Sequence, residues 1–448
     1  MTKILKTLKR VIRVKLDALK EFDIEIDNKR IRTSIKETID SLGKDSDDIK
    51  NLDIGSQKEI YEEFKRIYSE KSGGDVISLI DKSDHIEWYK KEKVKEGQFW
   101  NIYEQYLKEE ENFSPASIRD IDTNTDEIMG MVENPLRQAP WYRKGVVIGS
   151  IQSGKTANYL GLINKARETG YKFFVILTGH TNDLRKQTQE RIDEGHIGQD
   201  TFNFIENSYK YNWIGKARAN QFGSDRIIPK IATTNDLKGD FDTAARKRLS
   251  LEVNGHYVFV IKKNKTPILN LIKWLENYHQ QINHSYDANK FHKDEEAIHL
   301  NPPFIKEFPI FLIDDECDYY SVDTGNAPKN NKGEYIEEYS PKTINKLIRR
   351  LLMFFDRKIY VGYTATAFAN IFIHESKKTK TEGEDLFPRS FIFNINPPSN
   401  HSGLDSLFNL RDKDESDEYE RSKFLIEIDD FCENIYSESS KKGWMPLS

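Results

Sequence analysis

Residues 145–163 read GVVIGSIQSGKTANYLGLI: an apolar run, a loop with a glycine at each end and a helical pattern in immediate succession. No other segment constrains the chain as tightly, because the loop must turn a buried strand straight into a helix while its own backbone N–H groups point inward. Gly149 and Gly154 permit that close folding, and Ser150, Ile151, Gln152 and Ser153 carry the N–H groups between them. Such a ring of donors at a helix N-terminus attracts an anion. Lys155 follows, placed to reach the β and γ phosphates of a nucleotide, and the Thr156 hydroxyl suits Mg2+, which prefers oxygen ligands. The pattern is that of a P-loop, and it predicts ATP with Mg2+ held by Gly149, Gln152, Ser153, Gly154, Lys155 and Thr156.

Short β-branched runs at 146–148, 173–177, 257–261, 310–313, 359–362 and 391–393 alternate with helical patterns, the signature of a parallel sheet with crossover helices. They predict an α/β domain over residues 141–400, with a polar insertion at about 200–255 and another loop at 283–296. Before residue 141 the apolar residues recur at helical spacing, in Ile31, Ile35, Ile39 and Leu42, in Ile60, Phe64 and Ile67, and in Phe99, Tyr103 and Leu107. Gly43, Gly73 and Gly74 break these stripes, and Asn124 or Thr125 is the expected cap of a short helix ending before Pro135. The reading is an α-helical N-terminal domain over 1–140. Residues 401–448, with an acidic stretch at 412–420, read as a C-terminal extension that begins a further, truncated domain.

A length of 448 residues admits two such domains, and 31% charged against 37% hydrophobic residues describes a soluble globular chain with extensive polar surface. The opening MTKILKTLKRVIRVKLDALKEF intersperses Lys and Arg among apolar residues and so lacks the unbroken run of a signal peptide or membrane span. A cytoplasmic protein without a membrane partner is expected. Two cysteines, Cys317 and Cys432, provide neither a disulfide framework nor a zinc ligand set. The net charge of −5 gives no global attraction to nucleic acid. A local basic set, Lys3, Lys6, Lys9, Arg10, Arg13 and Lys15, reads first as the solvated face of an amphipathic helix.

A second chemical signal lies at the end of the run 310–313, where Asp314, Asp315, Glu316, Cys317 and Asp318 follow directly. Carboxylates at the carboxyl end of a buried strand stand where α/β sheets bind ligands. As a DExD pattern, Asp315 is the Mg2+ partner, Glu316 the general base for an attacking water, and Asp318 a coupling residue; Asp314 directly follows the apolar run and is the alternative by one position.

Two weaker segments keep the order found in superfamily 2 helicases. Residues 178–187, THTNDLRKQ interrupted by Gly179 as TGHTNDLRKQ, follow the second run, where those enzymes touch the nucleic-acid backbone. Thr364 and Thr366, in YTAT, follow the run after the acidic box, where they link hydrolysis to domain movement. Taken alone, the threonines read equally well as capping hydroxyls and His180 as a packed loop histidine. The order of all four segments resembles a superfamily 2, RecA-like ATPase core.

More narrowly, NPLRQAPWYRKGVVIGSIQSGKTANYLGLINKA, FLIDDECDYYSVDTG, NKLIRRLL and YVGYTATAFANIFI resemble the Z1 domain family, described as endonuclease- or helicase-associated proteins of prokaryotic conflict and restriction-like loci. Ala367 stands where proline is expected in that family. The resemblance implies a nucleic acid partner, DNA above all, partner proteins encoded in a defence operon, and a role against foreign DNA. Superfamily 2 motors carry arginines for the γ-phosphate on a second RecA-like domain, and the residues after Phe393 contain no Gln-x-x-Gly-Arg-x-x-Arg pattern. Arg349, Arg350 and Arg389 are the candidates to act in their stead, though they read first as packing or solvated residues, and Trp141 or Tyr142 the candidates to stack on the base, though the commoner role of such residues is packing the domain junction. The leading expectation is an ATPase of the helicase or translocase type; a nucleotide-gated switch completed by a partner and an ATP-dependent endonuclease are the alternatives.

Overall fold

The computed structural model describes residues 2–21, 24, 26–44, 46–69, 77–91, 98–149, 154–202, 204, 214, 229–282, 305–319, 321–322, 343–366, 370, 378–379 and 383–395. The chain divides into two units, Met1–Ser399 and Asn400–Ser448, and the described residues all belong to the first. The expected extension over 401–448, Cys432 and the loop 283–296 therefore lie outside the described residues, as do Ser150, Ile151, Gln152 and Ser153.

All six apolar runs are strands of one eight-stranded sheet. In chain order these and two further strands are β1 (Ile77–Ile80), β2 (Trp141–Gly149), β3 (Phe173–Thr178), β4 (Lys230–Ile231), β5 (Tyr257–Lys262), β6 (Ile310–Asp315) and β7 (Arg357–Thr364), with β10 (Phe391–Ile395) after the small hairpin β8 (Lys378–Thr379) and β9 (Gly383–Glu384). The sheet order is β1-β10-β2-β7-β6-β3-β5-β4. Every pair is parallel except β1 with β10, where Ile77 faces Asn394 and Ile80 faces Phe391. β3, β5 and β6 are near-continuous apolar because both of their faces are covered. The molecule is thus α/β, with a mostly parallel sheet.

Helices cover both faces. On one lie α5 (Gln98–Glu109), α6 (Pro115–Met131) and α7 (Lys155–Glu168), whose Tyr103, Ile128 and Leu162 share a core with Val147, Phe311, Ile313 and Val361. On the other, α9 (Thr243–Arg248), α10 (Lys265–Ile282) and α11 (Thr343–Met353) bury Ala245, Leu271 and Leu351 against Phe259, Ile310, Leu312 and Tyr360. Alternate residues of β6 therefore enter opposite cores, as the period of two in a strand requires.

The helical stripes form where expected, in α1 (Thr2–Glu21), α2 (Asn28–Leu42), α3 (Asp47–Lys50) and α4 (Ile54–Ser69), around a separate core of Leu8, Ile12, Ile31, Ile35, Ile60 and Phe64. From β1 onward, however, the N-terminal stretch is built into the sheet and its flanking layer, before residue 141 is reached. The cap is also different: Ser114 accepts from Ser117 N–H at 2.9 Å and Pro115 occupies the first turn, so α6 begins ten residues before Thr125. Asn124 and Thr125 are buried inside that helix, Thr125 Oγ1 donating to Ile121 O at 2.6 Å. The second half of the expected insertion likewise carries β4 and α9, with β4 pairing on β5. No helix among the described residues is long and apolar enough to cross a membrane.

The basic residues of α1 are only partly a solvated face. Lys9 pairs with Glu63 at 2.6 Å, Arg10 with Glu109 at 3.3 Å and Lys6 with Glu110 at 3.7 Å, while Arg13 is buried and donates to the Phe113 carbonyl. Lys6 and Arg10 thus remain largely solvated, as read, while Lys9 and Arg13 are engaged at the seam between α1, α4 and the turn after α5.

Candidate functional site

Because the strands run parallel, their carboxyl ends meet along one edge of the sheet. In register there are Ile148 beside Thr364, Tyr363 beside Asp315, Asp314 beside Leu177, and Thr178 beside Lys262. The loop after β2 and the acidic turn after β6 are separated by β7 alone, so their strand ends lie about 9.5 Å apart from the spacing of neighbouring strands.

Gly154 is the N-cap of α7 with φ 81°, a left-handed conformation that a side chain would strain. Lys155 Nζ donates to Gly149 O at 2.9 Å, closing the two ends of the loop on each other. Burial pushes the Lys155 pKa down, and the carboxylates of Asp315, Glu316 and Asp318 oppose that shift, so the lysine and the acidic turn share one electrostatic environment. Tyr159, one turn beyond Thr156 along α7, is buried, and its hydroxyl reaches Asp315 Oδ2 in a long contact of 3.5 Å. The structure thus brings Gly149, Gly154, Lys155, Thr156, Asp315 and Glu316 together; Gln152 and Ser153 fall outside the described residues.

The alternative at Asp314 is resolved by strand alternation. Asp314 points to the face opposite α7, fully buried, accepting from Lys263 Nζ at 3.0 Å and Tyr360 OH at 2.7 Å. Asp315 points toward α7, and burial pushes its pKa up to about 6 although Lys263 and Lys155 pull it down. Lys263 does more than pair with Asp314, since it also donates to the carbonyls of Asp315 at 2.5 Å and Glu316 at 2.6 Å. Those bonds hold Glu316 at φ 53°, an unusual backbone for a residue with a side chain. Glu316 is exposed at the turn, its N–H donating to Asp315 Oδ1 at 3.1 Å, and a Cβ at Gly179 would lie 3.6 Å from its Oε2. The turn then folds back over β7, where Cys317 N–H donates to Tyr363 O at 3.1 Å and Cys317 Sγ lies where a Cβ on Gly362 would clash.

The three coupling residues form one chain of hydrogen bonds. Thr366 Oγ1 donates to Asp318 Oδ2, and Thr366 N–H donates to the buried Thr364 Oγ1 at 2.9 Å. In the segment after β3, Thr181 caps α8 (Asn182–Ile192), and the His180 ring sits 6.0 Å from that of Tyr319 in the acidic turn. Arg185 of that segment is turned inward, fully buried, with its guanidinium on the carbonyls of Thr234 and Asp236.

The packing readings of the candidate base-stacking and arginine residues are the ones that fit. Trp141 and Tyr142 begin β2, at the opposite end of a nine-residue strand from the loop, about 26 Å away by strand rise. Trp141 is buried and Tyr142 lies between Lys144 and Lys358 at 4.8 and 5.1 Å, so neither can stack on a base held by the loop. Arg349 and Arg350 are buried on the α11 face, Arg349 lying 3.9 Å from Asp385, and Arg389 pairs with Glu384 at 3.2 Å next to the start of β10. All three lie away from Lys155. Arg191, which the sequence reading did not single out, lines a cleft of about 460 Å³ together with Gly154, Lys155 and Thr156. Tyr103, Tyr106, Leu107, Glu111 and Phe113 form its far wall.

Lys263 and Tyr159 were also missed. Lys263 had a partial signal, since it stands one residue beyond Lys262, the charged residue that directly follows the apolar run 257–261 as Asp314 follows 310–313. Tyr159 had none beyond helical spacing from Lys155.

The site was tested for Mg2+ by its donor set. A hydroxyl at Thr156 and a carboxylate at Asp315 whose ionisation is held back by burial suit a divalent cation that takes its other ligands from phosphate and water. Among the described residues no group of three or more His, Cys, Asp or Glu gathers as for a cation held by protein alone. No protein-family model, curated protein or solved structure matches this chain.

Proposed function

We propose that the chain binds a magnesium nucleoside triphosphate, ATP in the first instance, at the loop 149–156 and hydrolyses it as a RecA-like, superfamily 2 type ATPase. One observation carries this reading: Lys155 and Thr156 follow one strand end and Asp315 and Glu316 another, the two flanking the single strand β7, with Lys155 in the field of the Asp315 and Glu316 carboxylates. A triphosphate with its cation fits a gap of that width.

Lys155 would bind the β and γ phosphates, leaving the Gly149 carbonyl it now meets. Thr156 and Asp315 would hold Mg2+, which when bound withdraws charge from the phosphate oxygens. Glu316, exposed and fixed in position by Lys263, would orient the attacking water and take its proton as the oxygen bonds to the γ-phosphorus and the bridging oxygen departs. Tyr363 and Thr366 tie the same turn to the end of β7, so a shift at Glu316 reaches Thr364. Action on DNA and membership of a defence system against foreign DNA rest on the resemblance to Z1 proteins. The exchange of the Lys155 to Gly149 bond for a phosphate also favours a second reading, a nucleotide-gated switch in which binding rather than turnover is the output.

Thermal unfolding with and without Mg-ATP tests the site. A ligand at a hundred times its Kd stabilises the native state by about 2.7 kcal/mol, and Lys155→Ala should abolish that gain with little change in the unliganded melt. Glu316→Gln should keep the gain and lose turnover, because the amide can orient water but cannot take its proton. Equal stabilisation of the Lys155→Ala protein would remove the loop as the site.

A further inference from the structure

The cleft beside Lys155 and Thr156 has walls that phosphate binding does not use. Phosphates require N–H groups, ammonium and hydroxyl donors, whereas the side facing α5 is aromatic and apolar, formed by Tyr103, Tyr106, Phe113 and Leu160, with Glu111 and Arg191 at its exposed margin. A volume of about 460 Å³ lies within the roughly 300–1,000 Å³ of small-molecule sites. Apolar faces bordered by one acceptor and one donor match a flat heteroaromatic ring with N–H groups on part of its edge and lone pairs on the rest.

We propose that this cleft is the base subsite of the bound nucleotide and takes a purine. The proposal rests on the nucleotide reading of the loop and names the part of the ligand which that reading leaves open. Phe113, which is only partly buried, supplies the apolar contact for the ring, above the buried Leu160. The Glu111 carboxylate is oriented by Tyr106 OH at 2.9 Å, and its second oxygen can accept from an exocyclic amine. Arg191 donates to ring nitrogen or carbonyl oxygen. The wall is pre-formed: Tyr103 OH donates to Ala157 O at 2.8 Å, Tyr106 OH shares its one proton between Glu194 at 2.7 Å and Glu111, and Arg13 of α1 holds the Phe113 carbonyl. The helical layer upstream of β2 would thereby complete the nucleotide site, with little ordering left to occur on binding.

Adenine and guanine both offer the required edge, so the test carries both. Isothermal titration calorimetry of the full chain with Mg2+ compares ATP, GTP, UTP and inorganic tripolyphosphate. At least one purine nucleotide should bind tenfold or more tighter than UTP and tripolyphosphate, and the better purine names the base. Glu111→Ala and Arg191→Ala, both at exposed positions that folding tolerates, and Phe113→Ala should each reduce that advantage severalfold. Purine affinity equal to that of tripolyphosphate, or an advantage unchanged in all three variants, overturns the base subsite while leaving the phosphate site standing. Failure of tripolyphosphate itself to bind overturns the phosphate reading, and this proposal with it.

Discussion

At the scale of single residues, the acidic turn depends on which way two neighbouring aspartates point. Asp314 and Asp315 differ by one position and hence by one face of the sheet, and their charges meet different fates. Asp314 is paired with Lys263 and hydrogen-bonded by Tyr360, whereas burial pushes the Asp315 pKa up to about 6 from an ordinary 3.8. Between those two values the folded chain keeps a proton that the unfolded chain has lost, so this group's contribution to stability declines as pH rises through that window. Cation binding follows the opposite sign, because it needs the carboxylate charged. Mg-ATP affinity should rise with pH up to about 6 and level off above, falling by up to tenfold per unit below. Calorimetric titration from pH 5 to 8 checks this, and Asp315→Asn should bind weakly with a flat profile. A profile in Asp315→Asn as steep as in the unaltered chain would assign the titration elsewhere.

At the scale of elements, the end of β5 acts as a brace for the end of β6. Lys263 and Asp314 are both fully enclosed, and a buried pair that loses one partner leaves an uncompensated charge worth roughly 3–5 kcal/mol. Lys263→Met should lower urea stability by about that much, and adding Asp314→Asn should restore a large part of it; independent, additive losses would mean that the two do not act as a pair. This brace also marks the limit of what the sequence disclosed. The six apolar runs were legible because buried parallel strands need uninterrupted β-branched segments. Gly149, Asp315 and Glu316 stood out because they end or follow such a run, and Lys155 and Thr156 because a glycine-bounded loop leads through them into a helical pattern. β1 was not, since Ile77–Ile80 is four residues long and finds its partner at Phe391–Ile395, a pairing without local periodicity. The aromatic wall was hidden differently: Tyr103 and Leu107 read as a core stripe, which they are, and only the fold places the same helix beside Thr156. Ser114-Pro115 was a better start signal than Asn124 or Thr125, and it was overlooked.

At the scale of the whole molecule, the three arginines named as candidates for the γ-phosphate lie away from the proposed phosphate site. Arg349, Arg350 and Arg389 are committed to contacts away from the loop, and Arg191 faces the cleft where the base is proposed to lie. An arginine on the γ-phosphate is worth roughly a thousandfold or more in rate. The purified chain is therefore expected to turn over far less than once per second with Mg-ATP, with or without single-stranded or duplex DNA. A steady-state rate of several per second would show that a catalytic arginine acts from within these residues.

The position of β2 has a consequence for how the chain is made. Its two neighbours are β7 and β10, which leave the ribosome more than two hundred residues after it. The helices of α1 to α4 can collapse on their own core while synthesis continues, but β2 must wait with both of its edges open. Such a strand, apolar and unpaired during elongation, is a target for chaperones and for misassociation with other nascent chains. The proposed nucleotide site is thus among the last parts of this unit to come into being.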